Sequence, residues 1–287
     1  MAALVEERRS QVCLGLDPDP AALGAELDRD PSGIDPAEAA SAAVSAHCRG
    51  LIESAGAACV AVKPQLACFE RLGAPGWQAL AETIAAAREA GLLVVADGKR
   101  GDVPISAAAY AQALFGSTPT RFGEVSGLGA DAATVNPLMG GDALEPLLDG
   151  AAAAGAGLFT LVRTSNPGAA DLLDLPAPAD PLHERLAAMV AERAPSLAGE
   201  SGLSGMGAVV GATDTRRLAR LRELMPTSIF LMPGVGAQGG EAAELAPALG
   251  AHPASVLVAA SRSIAGADDP AAAAEALRTQ LWRLATP

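Results

Sequence analysis

The chain has 287 residues, half of them hydrophobic and only 3% aromatic, with a formal net charge of −13. That acidic balance argues against nucleic acid as a main partner, because neutralising phosphates needs a basic face, yet it leaves room for an anionic small substrate in a locally basic pocket. The apolar runs are too short, or too broken by Gly and charge, to span a bilayer, and the opening ten residues lack the apolar stretch of a signal peptide, so a cytoplasmic protein with no membrane partner is expected. In chain order, residues 12–16 form the first apolar run of strand length, and residues 18–34, rich in Pro, Asp and Gly, read as a long loop. A helix-like stretch over 35–55 leads to a candidate strand at 58–62, and a second over 77–90 leads to one at 92–96. Further candidate strands lie at 132–135 and 158–162. The segment from about 166 to 206 is longer than one helix needs and reads as an insertion around a helical piece at 181–194. Strands at 208–210, 228–232 and 256–259, with a helix over 214–224, complete the set.

Short buried strands alternating with helices, in eight units, predict an α/β fold of the (β/α)8 TIM-barrel type, as a single domain over residues 1–287. A doubly wound open sheet is the alternative, weakened because no G-x-G-x-x-G follows the first strand. The Cys residues at 13, 48, 59 and 68 form no C-x-x-C pair and read as free thiols, and only three His are present to complete a metal cluster.

In such a barrel, function sits at the C-terminal ends of the strands. Asp17, Lys63, Asp97, Lys99, Asn136, Thr164, Ser165 and Arg262 occupy those positions. Any one of them is explained by strand ends turning polar. Two Lys and two Asp at consecutive strand exits are harder to explain so, because buried charges are costly and need partners. The stretch Asp97-Gly98-Lys99-Arg100-Gly101-Asp102 sets a base between acids, where an amine stays protonated and can deliver its proton. After the seventh strand, Gly234-Val235-Gly236-Ala237-Gln238-Gly239-Gly240 offers backbone N–H groups to an anion, and Arg262, one strand later, adds a forked donor suited to phosphate.

Together these pieces resemble the orotidine 5′-phosphate decarboxylase family. The likeness rests on Asp97-x-Lys99-x-x-Asp102-Val103-Pro104, joined by Asp17 in Gly15-Leu16-Asp17-Pro18, Lys63 in Val62-Lys63-Pro64, the Gly-rich stretch with Gly236 and Gln238, and Ser261-Arg262-Ser263-Ile264. Thr164-Ser165-Asn166-Pro167-Gly168 and the long segment after it resemble the bacterial branch with the larger barrel. The resemblance implies conversion of orotidine 5′-monophosphate to uridine 5′-monophosphate in de novo pyrimidine synthesis, with neither metal nor organic cofactor. It implies that Lys99 is the cation beside C6 and its proton donor, that Asp97 lies near the departing carboxylate, and that Asp102 reaches into the site of a second subunit in a homodimer. Lys63 would link the carboxylates and contact the ribose, Asp17 would accept from a ribose hydroxyl, and Ser106 would lie near the partner's ribose. Ser165 would meet the pyrimidine edge, and Gln238 and Arg262 would hold the phosphate. Two rival readings are a magnesium-dependent sugar-phosphate enzyme of the same superfamily, which a cation at Lys63 disfavours, and a catalytically silent phosphate-binding barrel, which would not require Lys99 between acids.

Overall fold

Runs such as Val12–Leu16 have no polar face, so a strand built from them must be covered on both sides, and a parallel sheet wrapped in helices is what covers it. The fold is that of a computed structural model describing residues 1–23, 33–177, 180–211, 215–233 and 242–286. Its strands are β1 (Val12–Leu16), β2 (Ala61–Pro64), β3 (Leu93–Arg100), β4 (Ser117–Thr120), β5 (Gly123–Ser126), β6 (Ala132–Val135), β7 (Gly157–Arg163), β8 (Ser204–Val210), β9 (Ser228–Pro233) and β10 (Val256–Ala260). Eight of them close into a parallel barrel in the order β1-β10-β9-β8-β7-β6-β3-β2. The expected (β/α)8 architecture is therefore present, and all eight sequence-derived strands have their counterparts. β4 and β5 lie outside the barrel as an exposed antiparallel hairpin that the sequence reading did not include.

Helices lie between the strands where the sequence places them, with small shifts. Pro36–Ala55 starts with proline at its first turn, and the Asp35 carboxylate accepts from Ala37 N–H at 2.9 Å, satisfying a donor that the helix leaves unpaired. The helix expected over 77–90 spans Gly73–Glu89, starting a turn earlier. Leu182–Arg193 and Thr215–Leu224 match the other two. β8 begins at Ser204, so the long segment after β7 ends sooner than the sequence suggests.

The core has two layers. Residues such as Phe69, Leu80, Leu147 and Phe230 fill the space between strands and helices. Cys13, Val95, Phe159, Leu231 and Leu257 belong to a second cluster, which includes Val5 of the helix Ala2–Arg8. Arg8 fastens that helix, donating to the carbonyls of Cys59 at 2.8 Å and of Gly91 at 3.0 Å. Arg222 is buried, and backbone carbonyls take up its donors. Its guanidinium donates to the carbonyls of Ala248, Met225, Ser228 and Ser255 at 2.7–3.0 Å and stacks 3.7 Å over the Phe230 ring. Burial pulls its pKa down to about 10, which still leaves it charged at neutral pH. Cys13, Cys59 and Cys68 are free thiols. No described helix is long and apolar enough to cross a membrane.

Candidate active site

β3 runs on through Arg100, so Asp97 and Lys99 stand on the strand itself rather than in a loop beyond it. The β3 register shifts between Ala96 and Arg100, and past that irregularity both side chains meet beside Lys63 of β2. The Asp97 carboxylate is the hub. Its Oδ2 accepts from Lys63 Nζ at 2.5 Å and from Gln65 Nε2 at 3.3 Å. Its Oδ1 accepts from Lys99 Nζ at 2.6 Å and from Thr134 Oγ1 at 2.7 Å. A carboxylate has about four lone-pair sites, and all are used, which is what a side chain only 6% exposed requires.

Thr134 does two jobs. Besides donating to Asp97, its oxygen accepts the Lys99 backbone N–H at 2.9 Å. Lys99 has φ of 47°, in the left-handed region, and the Thr134 hydroxyl is the partner its amide meets there. Lys63 is 8% exposed at its side chain, whereas Lys99 is 42% exposed. Lys99 therefore has the more open of the two ammonium groups.

The charges explain one another. Burial pushes the Asp97 carboxyl up, but Lys63 and Lys99 outweigh it and hold the pKa at about 2. Burial pulls Lys63 down, and Asp97 and Asp17 outweigh that and raise it. Asp97 is thus held as a carboxylate between the two lysines, and Lys63 is held as an ammonium by Asp97 and Asp17.

The other expected residues make no hydrogen bond to this array among the described residues, so each is placed by its element alone. Asp17 follows β1 and is exposed, close enough to act on Lys63. Asp102 lies in the turn before the helix Pro104–Leu114 and accepts from Val103 N–H at 2.7 Å. Ser106 is half-buried in the first turn of that helix. Ser165 follows β7, and exposed Arg262 follows β10 at the start of the short helix Arg262–Ala265. Gly236 and Gln238 lie outside the described residues. Thr134 and Gln65 were missed by the sequence reading. The available signal for Thr134 was a lone hydroxyl within the otherwise apolar Ala132-Ala133-Thr134-Val135, buried to 1% exposure.

A fixed ammonium beside a fixed carboxylate, at the C-terminal rim of a barrel, can stabilise a developing carbanion and then protonate it. Known proteins resemble this chain over most of its length. The model of the family described as "Orotidine 5'-phosphate decarboxylase / HUMPS family" matches residues 10–277. An orotidine 5′-phosphate decarboxylase of Rhodopirellula baltica is 41% identical over 256 residues, covering 89% of this chain and 83% of the relative. One of Deinococcus radiodurans is 40% identical over 284 residues, covering 96% and 92%. The solved structure of Leishmania donovani OMP decarboxylase superposes with a TM-score of 0.78 at 34% identity, covering 100% of each chain. With a match that runs from just before β1 into the helix Pro270–Ala285, and relatives this similar over most of their length, the chain belongs to the orotidine 5′-phosphate decarboxylase / HUMPS family.

Proposed function

We propose that this chain decarboxylates orotidine 5′-monophosphate to uridine 5′-monophosphate, with Lys99 delivering the proton to C6. The observation that carries this reading is the Asp97 carboxylate held between Lys63 and Lys99 at 2.5 and 2.6 Å. Loss of CO2 leaves an electron pair at C6 in the plane of the ring, where the ring cannot delocalise it well. Stabilisation must then come from a charge already in place, and the Lys99 ammonium supplies it without reorganising. Once the C–C bond has broken, the Lys99 N–H proton passes to C6 and leaves a neutral amine. Asp97 holds the Lys99 side chain at 2.6 Å and stands where the substrate carboxylate would approach, so that expulsion of CO2 relieves a like-charge contact.

The remaining roles concern binding. Lys63 and Asp17 meet the ribose, Ser165 the pyrimidine edge, and Arg262 with Gly236 and Gln238 the 5′-phosphate. Phosphate binding far from C6 supplies energy to order the site, so its loss should lower turnover as well as affinity. Enzymes lower barriers by about 8–23 kcal/mol, and decarboxylation without an electron sink belongs near the top of that range. One ion pair does not suffice, and a preorganised array closed around the whole nucleotide is required. Asp102 and Ser106 complete the site of a second copy in a homodimer. The enzyme works in the cytoplasm with no metal or organic cofactor.

The test is to add orotidine 5′-monophosphate with EDTA present and follow loss of its ultraviolet absorbance. Turnover undiminished by EDTA is expected. Absence of turnover at any enzyme concentration would sink the assignment, and turnover abolished by EDTA would favour metal-assisted chemistry instead.

A further inference from the structure

Ser165 is given its place by a set of contacts outside the lysine array. Arg163, the last residue of β7, is fixed by the barrel: it pairs with Val210 after a register shift, and its carbonyl accepts from Gly211 N–H at 2.7 Å. Its side chain turns back on its own chain. Nη1 donates to the carbonyl of Thr164 at 2.5 Å, and that carbonyl belongs to the peptide unit joining Thr164 to Ser165. On the other side, a Cβ added at Gly211 would fall 2.9 Å from Ser165 N, Cα and Cβ, so only glycine lets β8 come this close. The Ser165 backbone is thus clasped between Gly211 and the Arg163 guanidinium.

The guanidinium is in turn aimed by Asp174. Arg163 Nε lies 2.9 Å from Asp174 Oδ1, and Nη2 lies 3.2 Å from Oδ2, a two-pronged pairing that fixes the plane of the fork. Asp174 ends the short helix Ala170–Leu173 and is itself tied from two further elements. Arg217 of the helix Thr215–Leu224 reaches Oδ2 at 3.1 Å, and His183 Nδ1 lies 3.3 Å from Oδ1. Burial acts to raise the Asp174 pKa, yet Arg163, Arg217 and His183 together lower it. Such a junction is more than a surface ion pair. It joins β7, the segment after it and the helices Leu182–Arg193 and Thr215–Leu224 around the Arg163 side chain.

We infer that Asp174 is a positioning residue for recognition of the pyrimidine, holding Ser165 toward the base through the Arg163 guanidinium. The inference rests on the reading of Ser165 given under the proposed function. It separates two parts of the ligand. The base should feel the loss of Asp174, whereas the ribose and phosphate, gripped by other strands, should not.

The experiment compares two probes, uridine 5′-monophosphate and ribose 5-phosphate, on the full chain by calorimetry. Asp174→Asn keeps the shape of the side chain but removes the charge that orders the fork. It should weaken nucleotide binding about tenfold, as expected for one misdirected hydrogen bond, and leave ribose 5-phosphate within about twofold. Arg163→Lys, which keeps a charge but not the fork, should do the same and guards against one variant misfolding. In a Ser165→Ala background, Asp174→Asn should weaken nucleotide binding no further, because the group it positions is already gone. Equal loss for both probes, no loss for either, or full additivity with Ser165→Ala would each overturn the inference. A wild-type protein that binds neither probe and turns over no orotidine 5′-monophosphate would instead sink the functional reading itself.

Discussion

Lys99 Nζ lies 2.6 Å from Asp97 Oδ1, and the pair is graded from inside to outside: the carboxylate is 6% exposed and the ammonium 42%. Asp97 is therefore the buried half of the pair and Lys99 the half open to a ligand. Lys99→Ala should lower turnover by at least about 1000-fold, because it removes both the stabilising charge and the proton. It should still bind uridine 5′-monophosphate, because the residues proposed to hold the ribose and phosphate are other ones. Absorbance loss and calorimetry measure the two effects separately.

Thr134→Val removes the hydroxyl that joins the Asp97 carboxylate to the Lys99 amide. A buried acceptor and a backbone donor lose one partner each, which costs on the order of 1–3 kcal/mol. We expect stability to fall by about that amount in a denaturant titration, and kcat to fall by about tenfold as Lys99 loses its fixed aim. Unchanged kcat would mean that Asp97 alone aims the lysine.

Asp97 also sets an acid limit. Burial raises its pKa, Lys63 and Lys99 lower it further, and the result is about 2 against an ordinary 3.8. The folded protein binds this proton less readily than the unfolded chain. The contribution is therefore complete above the ordinary value and is lost as pH falls through about 2, with a size on the order of 2 kcal/mol. Urea midpoints measured for wild type and Asp97→Asn between pH of about 5 and about 2 should show a shallower acid loss in the variant.

Mixing Lys99→Ala and Asp102→Ala proteins, each inactive alone, should restore activity once subunits exchange. In the proposed shared-site homodimer a hybrid would have one site with both residues intact, so an equal mixture should recover roughly a quarter of wild-type activity by statistical pairing. Exchange shown by differently tagged chains, with no recovery, would place Asp102 in its own subunit's site or outside the chemistry.

Arg222→Lys keeps the charge but cannot serve the four carbonyls that the guanidinium serves, nor lie flat on Phe230. We expect a loss of about 3 kcal/mol in unfolding free energy, with turnover per folded molecule unchanged. Arg222→Lys as stable as wild type would reduce those bonds to incidental contacts.

The barrel was legible because each of its strands is an apolar run too short to be a helix and bounded by turn residues. β8 was the partial exception. Ser204-Gly205-Met206-Gly207 reads as loop from its glycines, yet a Cβ at Gly207 would fall 2.5 Å from the Ile229 carbonyl, so the glycine is there to let β8 and β9 pack. The hairpin β4–β5 was hidden for the opposite reason. Its residues are exposed and Pro119 lies within it, so neither apolar alternation nor strand propensity marks it. In the site, Lys63, Asp97 and Lys99 were legible as charges at strand ends. Thr134 was not, because its importance comes from the register that sets β6 beside β3, which a linear pattern does not encode. Asp174 lay within a segment that read only as length.

Lys99 occupies its left-handed backbone conformation, φ 47°, although a residue with a Cβ pays about 1 kcal/mol to be there. Glycine at the same position would relieve that strain, partly offset by a freer unfolded chain. Lys99→Gly is thus expected to be as inactive as Lys99→Ala and more heat-tolerant than it. Selection for thermal endurance alone would drift away from lysine here, and only selection that also scores turnover would retain it.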